Sequence, residues 1–78
     1  MSKFEKLIKK VFSRQQVLYQ DAEKILFALG YELKISGSHY VFRKTGYKLV
    51  VLKFRQQLLL YQINDLREVL KDHGYKEI

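Results

Sequence analysis

Phe4, Leu7, Ile8, Val11 and Phe12 recur at i, i+3, i+4, i+7 and i+8, which puts five large apolar side chains on one helical face. Ser2 and Glu5 fit a capping box at the start of that helix. Lys3, Lys6, Lys9 and Lys10 occupy its back. Such a helix suits a membrane surface or a protein core, and in so small a chain core packing is the preferred reading. Ser13-Arg14-Gln15-Gln16 breaks the pattern. A second helix follows over about Gln20–Leu29, with Ala22, Ile25, Leu26 and Leu29 facing inward and Gly30 at the C′ position. Leu18 and Tyr19 offer its N-terminus no side-chain acceptor, although Asp21 and Glu23 suit the positive end of the helix dipole.

From Tyr31 the period changes from helical to alternating. Tyr31, Leu33 and Ile35 alternate with Glu32, Lys34 and Ser36, as in a half-buried strand. Gly37-Ser38 fits a two-residue hairpin turn, His39–Lys44 is the second strand, Thr45-Gly46 is a second turn, and Tyr47–Phe54 is the third strand. A last helix runs from about Tyr61 to His73, with Ile63, Leu66, Val69 and Leu70 inward and Gly74 at its end. The expected fold is α+β: a three-stranded antiparallel sheet packed on helices. Residues 1–16 form an N-terminal helical extension and residues 17–74 an α-β-β-β-α core within one domain. That core has the element order of a double-stranded-RNA-binding domain, a statement about topology alone.

The first hairpin fixes its own register. A two-residue loop pairs Ser36 with His39, Ile35 with Tyr40, Lys34 with Val41, Leu33 with Phe42 and Glu32 with Arg43. Opposed residues share a face. Leu33, Ile35, Tyr40 and Phe42 therefore face the core, and His39 faces outward with Ser36, Lys34, Val41 and Arg43. If Thr45-Gly46 is also a two-residue loop, Leu49 and Val51 join the core face. Lys48, Val50, Leu52 and Phe54 then join the open one. Val41, Val50 and Leu52 would form an apolar stripe there, to be covered by the N-terminal helix or by a partner.

Composition narrows the chemistry. The chain has 78 residues, no cysteine and no proline, and a formal charge of +7. Disulfides and thiolate metal sites are thereby excluded, and a reducing cytoplasm is compatible. The sequence has no apolar run of membrane-spanning length and no continuous apolar region of a secretory signal. The expected location is cytoplasmic. Lys34, Arg43, Lys44, Lys48, Lys53 and Arg55 fall between positions 34 and 55 with no acid among them. A phosphate backbone is the commonest partner for such a block, and a solvated surface is the ordinary alternative.

The chain has no phosphate-binding glycine loop and no nucleophile elbow. Its two histidines, His39 and His73, belong to different elements without metal-ligand spacing. No metal and no cofactor is expected. His73, near a helix C-terminus, reads as a surface residue complementing the dipole. His39 reads either as an ordinary surface histidine at a turn or as an acid–base group. The second role suits RNA cleavage without metal. There the substrate's 2′-hydroxyl is the nucleophile, and the protein supplies proton transfer and positive charge.

Leu26-Phe27-Ala28-Leu29-Gly30-Tyr31-Glu32-Leu33, followed by Gly37-Ser38-His39-Tyr40-Val41-Phe42-Arg43, resembles the HicA toxin family, the mRNA-cleaving half of a bacterial toxin–antitoxin pair. The final helix around Asp65-Leu66-Arg67-Glu68-Val69-Leu70 falls where that family has its own. The resemblance spans about Val17–Gly74. It implies a double-stranded-RNA-binding-like fold, metal-independent endoribonuclease activity and inhibition by a HicB-type antitoxin. The family's catalytic histidine maps onto His39 and its turn onto Gly37 and Ser38. Family members commonly carry a proline and a second histidine after the third strand, where this chain reads Leu52-Lys53-Phe54-Arg55-Gln56-Gln57. Lys34, Arg43, Lys44 and Lys48 are the expected RNA-binding residues, with Lys34 and Arg43 nearest the chemistry. A non-catalytic RNA-binding domain and a protein-interaction module are the alternative readings.

Overall fold

The computed structural model describes residues 3–13, 15–53 and 57–76; Ser2 of the expected capping box and Phe54 of the expected third strand lie outside them. The elements run α1 (Lys3–Phe12), α2 (Tyr19–Ala28), β1 (Glu32–Ser36), β2 (His39–Arg43), β3 (Val50–Lys53) and α3 (Leu60–Asp72). The described residues thus make a small α+β domain of three helices and a three-stranded antiparallel sheet in the order β1-β2-β3.

The helix ends follow from local chemistry. Both α2 and α3 stop in the same hydrogen-bonded motif. Tyr31 N donates to Leu26 O and Gly30 N to Phe27 O; Tyr75 N donates to Leu70 O and Gly74 N to Lys71 O. Each motif needs a left-handed residue at C′, supplied by Gly30 (φ +96°) and Gly74 (φ +90°). At the start of α3, Leu59 has no side-chain acceptor, but its N–H donates to Oε1 of the buried Gln62 at 2.9 Å. That bond is half of a capping box. Leu58 N donates to Val17 O at 2.9 Å, tying the lead-in of α3 to the lead-in of α2.

Ile8, Val11 and Phe12 of α1 join Ala22, Ile25 and Leu26 of α2 and Ile63, Leu66 and Leu70 of α3 in one cluster. The extension is therefore part of the same core. It contacts α2 and α3, so it does not cover the open face of the sheet. The sheet closes the cluster with Phe42, Val50 and Leu52. Phe42 is fully buried, and its ring meets Phe27 edge-on at 5.8 Å.

The first hairpin has the expected register, from Glu32↔Arg43 to Ser36↔His39. Gly37 makes it possible with φ +60° at the first turn position. On its core face Ile35, one residue from the turn-flanking Ser36, is 56% exposed, a departure from the buried position expected of it.

The second hairpin differs from expectation by one residue. β3 pairs Phe42↔Val50, Val41↔Val51, Tyr40↔Leu52 and His39↔Lys53. A one-residue slip exchanges the faces of the whole strand. Val50 and Leu52, expected on the open face, are buried, whereas Leu49 and Val51, expected in the core, are exposed. The reason lies in the turn. Tyr47 N donates to Lys44 O, with Gly46 at φ +86° in the third turn position. Positive φ at that position fits a type II turn, whose twist does not match a two-residue hairpin. Lys48 and Leu49 extend the connection to six residues, 44–49, before pairing begins.

Tyr19 and Tyr31 are both buried, and both hydroxyls are held above the ordinary tyrosine range. Burial is the main cause in each, reinforced by Glu23 beside Tyr19 and by Asp72 and Tyr47 near Tyr31. Their protonated forms are favoured in the folded chain. The associated stability is therefore fully present below the unfolded tyrosine pKa of about 10 and is lost as pH rises through the higher folded values. Urea midpoints measured from pH 7 to 11.5 should accordingly fall above about pH 10, and less steeply in Tyr19→Phe.

Candidate functional site on the open sheet face

Because opposed residues share a face, the two registers build three rows across the outer side of the sheet. One row is Ser36–His39–Lys53, the next is Lys34–Val41–Val51, and the third begins Glu32–Arg43. All are exposed except Val41, which is half-buried. The helices lie on the other side, so among the described residues this face is uncovered.

His39 is the first residue of β2, directly after the Gly37-Ser38 turn. Its side chain makes no hydrogen bond or ion pair among the described residues. Ser36 stands opposite it on one side and Lys53 on the other. Cβ atoms of opposed residues lie about 4.5–5.5 Å apart. Lys34, opposite Val41, is the diagonal neighbour at about 7–8 Å. Arg43 is four positions along the strand from His39, about 13 Å at strand rise, and Glu32 is its opposed partner. Of the two cations expected nearest His39, Lys34 is close and Arg43 is remote.

Lys53 enters this row through the register of β3. A two-residue second loop would turn it to the core side, whereas the observed pairing sets it directly across from His39. The sequence signal that could have found it is the alternation of Val50 and Leu52, which fits a buried face as well as Leu49 and Val51 do.

Two expected phosphate ligands are placed elsewhere. Lys44 is half-buried, and its Nζ donates to Leu29 O at 2.6 Å and to Nε2 of His73 at 3.0 Å. It also lies 4.8 Å from the centre of the Tyr47 ring. Tyr47 in turn stacks on His73 at 4.1 Å and 15°. His73 Nδ1 donates to Val69 O at 2.8 Å. A carbonyl can only accept and an ammonium can only donate, so the imidazole carries its hydrogen on Nδ1 and accepts at Nε2. His73 is therefore a half-buried bracket between α3 and the 44–49 loop, correcting its reading as a simple surface residue. Lys44 is the ammonium that joins this loop to the C-terminal ends of α2 and α3. No local signal in the sequence joins residues 29, 44 and 73.

Lys48, the other displaced cation, lies in the 44–49 loop. It lines a cleft of about 280 Å³ with Tyr31 and with Asp65, Glu68 and Asp72 of α3. Its surroundings are acidic, and it is not beside His39.

The role of Lys44 has a measurable consequence. Hydrogen bonds from a charged donor contribute about 1.5–3 kcal/mol when partly shielded. Lys44→Ala should lower stability by about 2 kcal/mol in urea unfolding. Unchanged stability would mean that the Lys44 contacts with Leu29 O and His73 Nε2 contribute nothing to the fold.

No family model matches this chain, and no curated protein or solved structure proves significantly similar to it.

Proposed function

We propose that this protein is a metal-independent RNA endonuclease of the HicA toxin type, with His39 as its acid–base group and a HicB-type antitoxin as its inhibitor. The observation that carries this reading is the row Ser36–His39–Lys53, with Lys34 beside it, on an exposed sheet face. Histidine transfers protons near neutral pH, and lysines stabilise the charge of a pentacoordinate phosphorus. The Gly37-Ser38-His39 turn that carries the family resemblance is the element that presents the histidine. The order α2-β1-β2-β3-α3 is that of a double-stranded-RNA-binding-like domain, the finer fold this reading requires. Val51, 46% exposed one row from His39, gives the same region apolar surface suited to an antitoxin that covers the site.

The test is cleavage of a long RNA in excess chelator by the wild type and His39→Ala. The wild type should leave 2′,3′-cyclic phosphate and 5′-hydroxyl ends, and the variant should leave the RNA intact. Equal cleavage by the two would refute the assignment. A second measurement separates RNA binding from protein docking, because phosphate contacts release counterions. Lys34→Ala should weaken RNA binding uniformly across sequences and reduce the slope of log K against log salt by about 1. An unchanged slope would remove Lys34 from the phosphate contacts.

A further inference from the structure

Resting on the nuclease reading, we propose that Lys53 is the second catalytic residue of the site, the general acid that protonates the leaving 5′-oxygen. Transesterification of RNA is helped by a base for the 2′-hydroxyl and an acid for the departing oxygen. In an in-line displacement those oxygens lie on opposite sides of phosphorus, so one imidazole does not reach both in the same step. A second proton carrier must reach the same phosphate.

Among the described residues, the sheet register points to one candidate. Ser36, across from His39 on β1, is a neutral hydroxyl. Glu32 and Arg43 are two rows away, and a guanidinium does not release its proton. Lys34 is one row off, opposite Val41. Lys53 is in the same row as His39, on the neighbouring strand and the same exposed face. The two side chains extend outward from backbone positions about 5 Å apart, so a phosphate set between their tips is flanked by an imidazole on one side and an ammonium on the other.

The reaction then balances. His39 takes the 2′-hydroxyl proton as the 2′-oxygen forms its bond to phosphorus. The bond from phosphorus to the 5′-oxygen breaks with its electron pair on oxygen, and Lys53 gives that oxygen a proton. The products are a 2′,3′-cyclic phosphate and a 5′-hydroxyl, with His39 protonated and Lys53 neutral. Exchange with water restores both.

The test uses the full chain and two oligoribonucleotides. One is the natural substrate; the other carries sulfur in place of the 5′-oxygen at the mapped cleavage site. A thiolate leaves without a proton. Lys53→Ala should slow the oxygen substrate by about a hundredfold or more, within the range of general acid catalysis, and the sulfur substrate by less than about tenfold. Lys53→Arg keeps the charge but holds its proton, so it should remain slow on oxygen and near wild type on sulfur. Equal slowing of both substrates, or full recovery by Lys53→Arg, would reduce Lys53 to a phosphate-binding charge. A Lys53→Ala variant as fast as wild type on both would dismiss it from the site. In each case, His39→Ala run alongside tells whether the nuclease reading itself survives.

Discussion

His39→Ala should reduce RNA cleavage by at least about a hundredfold without changing the stability of the fold. General acid–base groups contribute about 10²–10⁴ in rate, and a factor of a hundred corresponds to about 2.7 kcal/mol of barrier. The fold should be indifferent because His39 is exposed and outside the hydrophobic cluster. Its backbone pairs with Ser36 and Lys53, and alanine keeps that pairing. Thermal unfolding followed by circular dichroism should therefore superimpose for the two proteins. Growth arrest on expression should disappear with the cleavage. His39→Gln sharpens the comparison, since glutamine can hydrogen-bond but cannot shuttle a proton. Full activity in that variant would mean that the imidazole does no proton transfer.

Phe42→Ala acts on the other side of the same strand, and there the effect is on folding. Truncating a buried phenylalanine costs about 3–5 kcal/mol, the sum of lost transfer energy and the cavity left behind. A domain of this size has a stability near the low end of about 5–15 kcal/mol. Phe42 is fully buried in β2, between Leu33 and Val50 in the sheet and edge-on to Phe27. The variant should be substantially unfolded at 37 °C, with a urea midpoint near zero. Val51→Ala is the control. Val51 is 46% exposed on the opposite face of the sheet, so its truncation should cost less than about 1 kcal/mol. Similar losses in the two variants would contradict the register of β3.

The contrast between the hairpins shows what local chemistry resolves. Gly37-Ser38 is a turn whose geometry matches the strand twist, so its two flanking residues must pair and every later pair is counted from them. Thr45-Gly46 also forms a turn, but of a kind that leaves the strands unaligned, and its continuation depends on contacts elsewhere. Tyr47 stacks on His73 and Lys44 reaches Leu29 O. Those contacts draw the loop toward the helices and leave Val50, not Leu49, opposite Phe42. Val50-Val51-Leu52 is an apolar run, and alternation cannot choose between its two faces.

The histidine after the first turn is thus placed by sequence: a glycine free to adopt positive φ, a two-residue loop and alternating strands put His39 on the outer face by counting. The helix ends are sequence features too, because Gly30 and Gly74 are the left-handed residues that stop α2 and α3. Tertiary structure alone decided which cations accompany His39. It brought Lys53 across from it, withdrew Lys44 into the bracket with His73 and turned Lys48 toward the acids of α3. The physical reason is range. A tight turn is settled among neighbouring residues, whereas the third strand's register is settled by burying Val50 and Leu52 beneath helices distant in sequence.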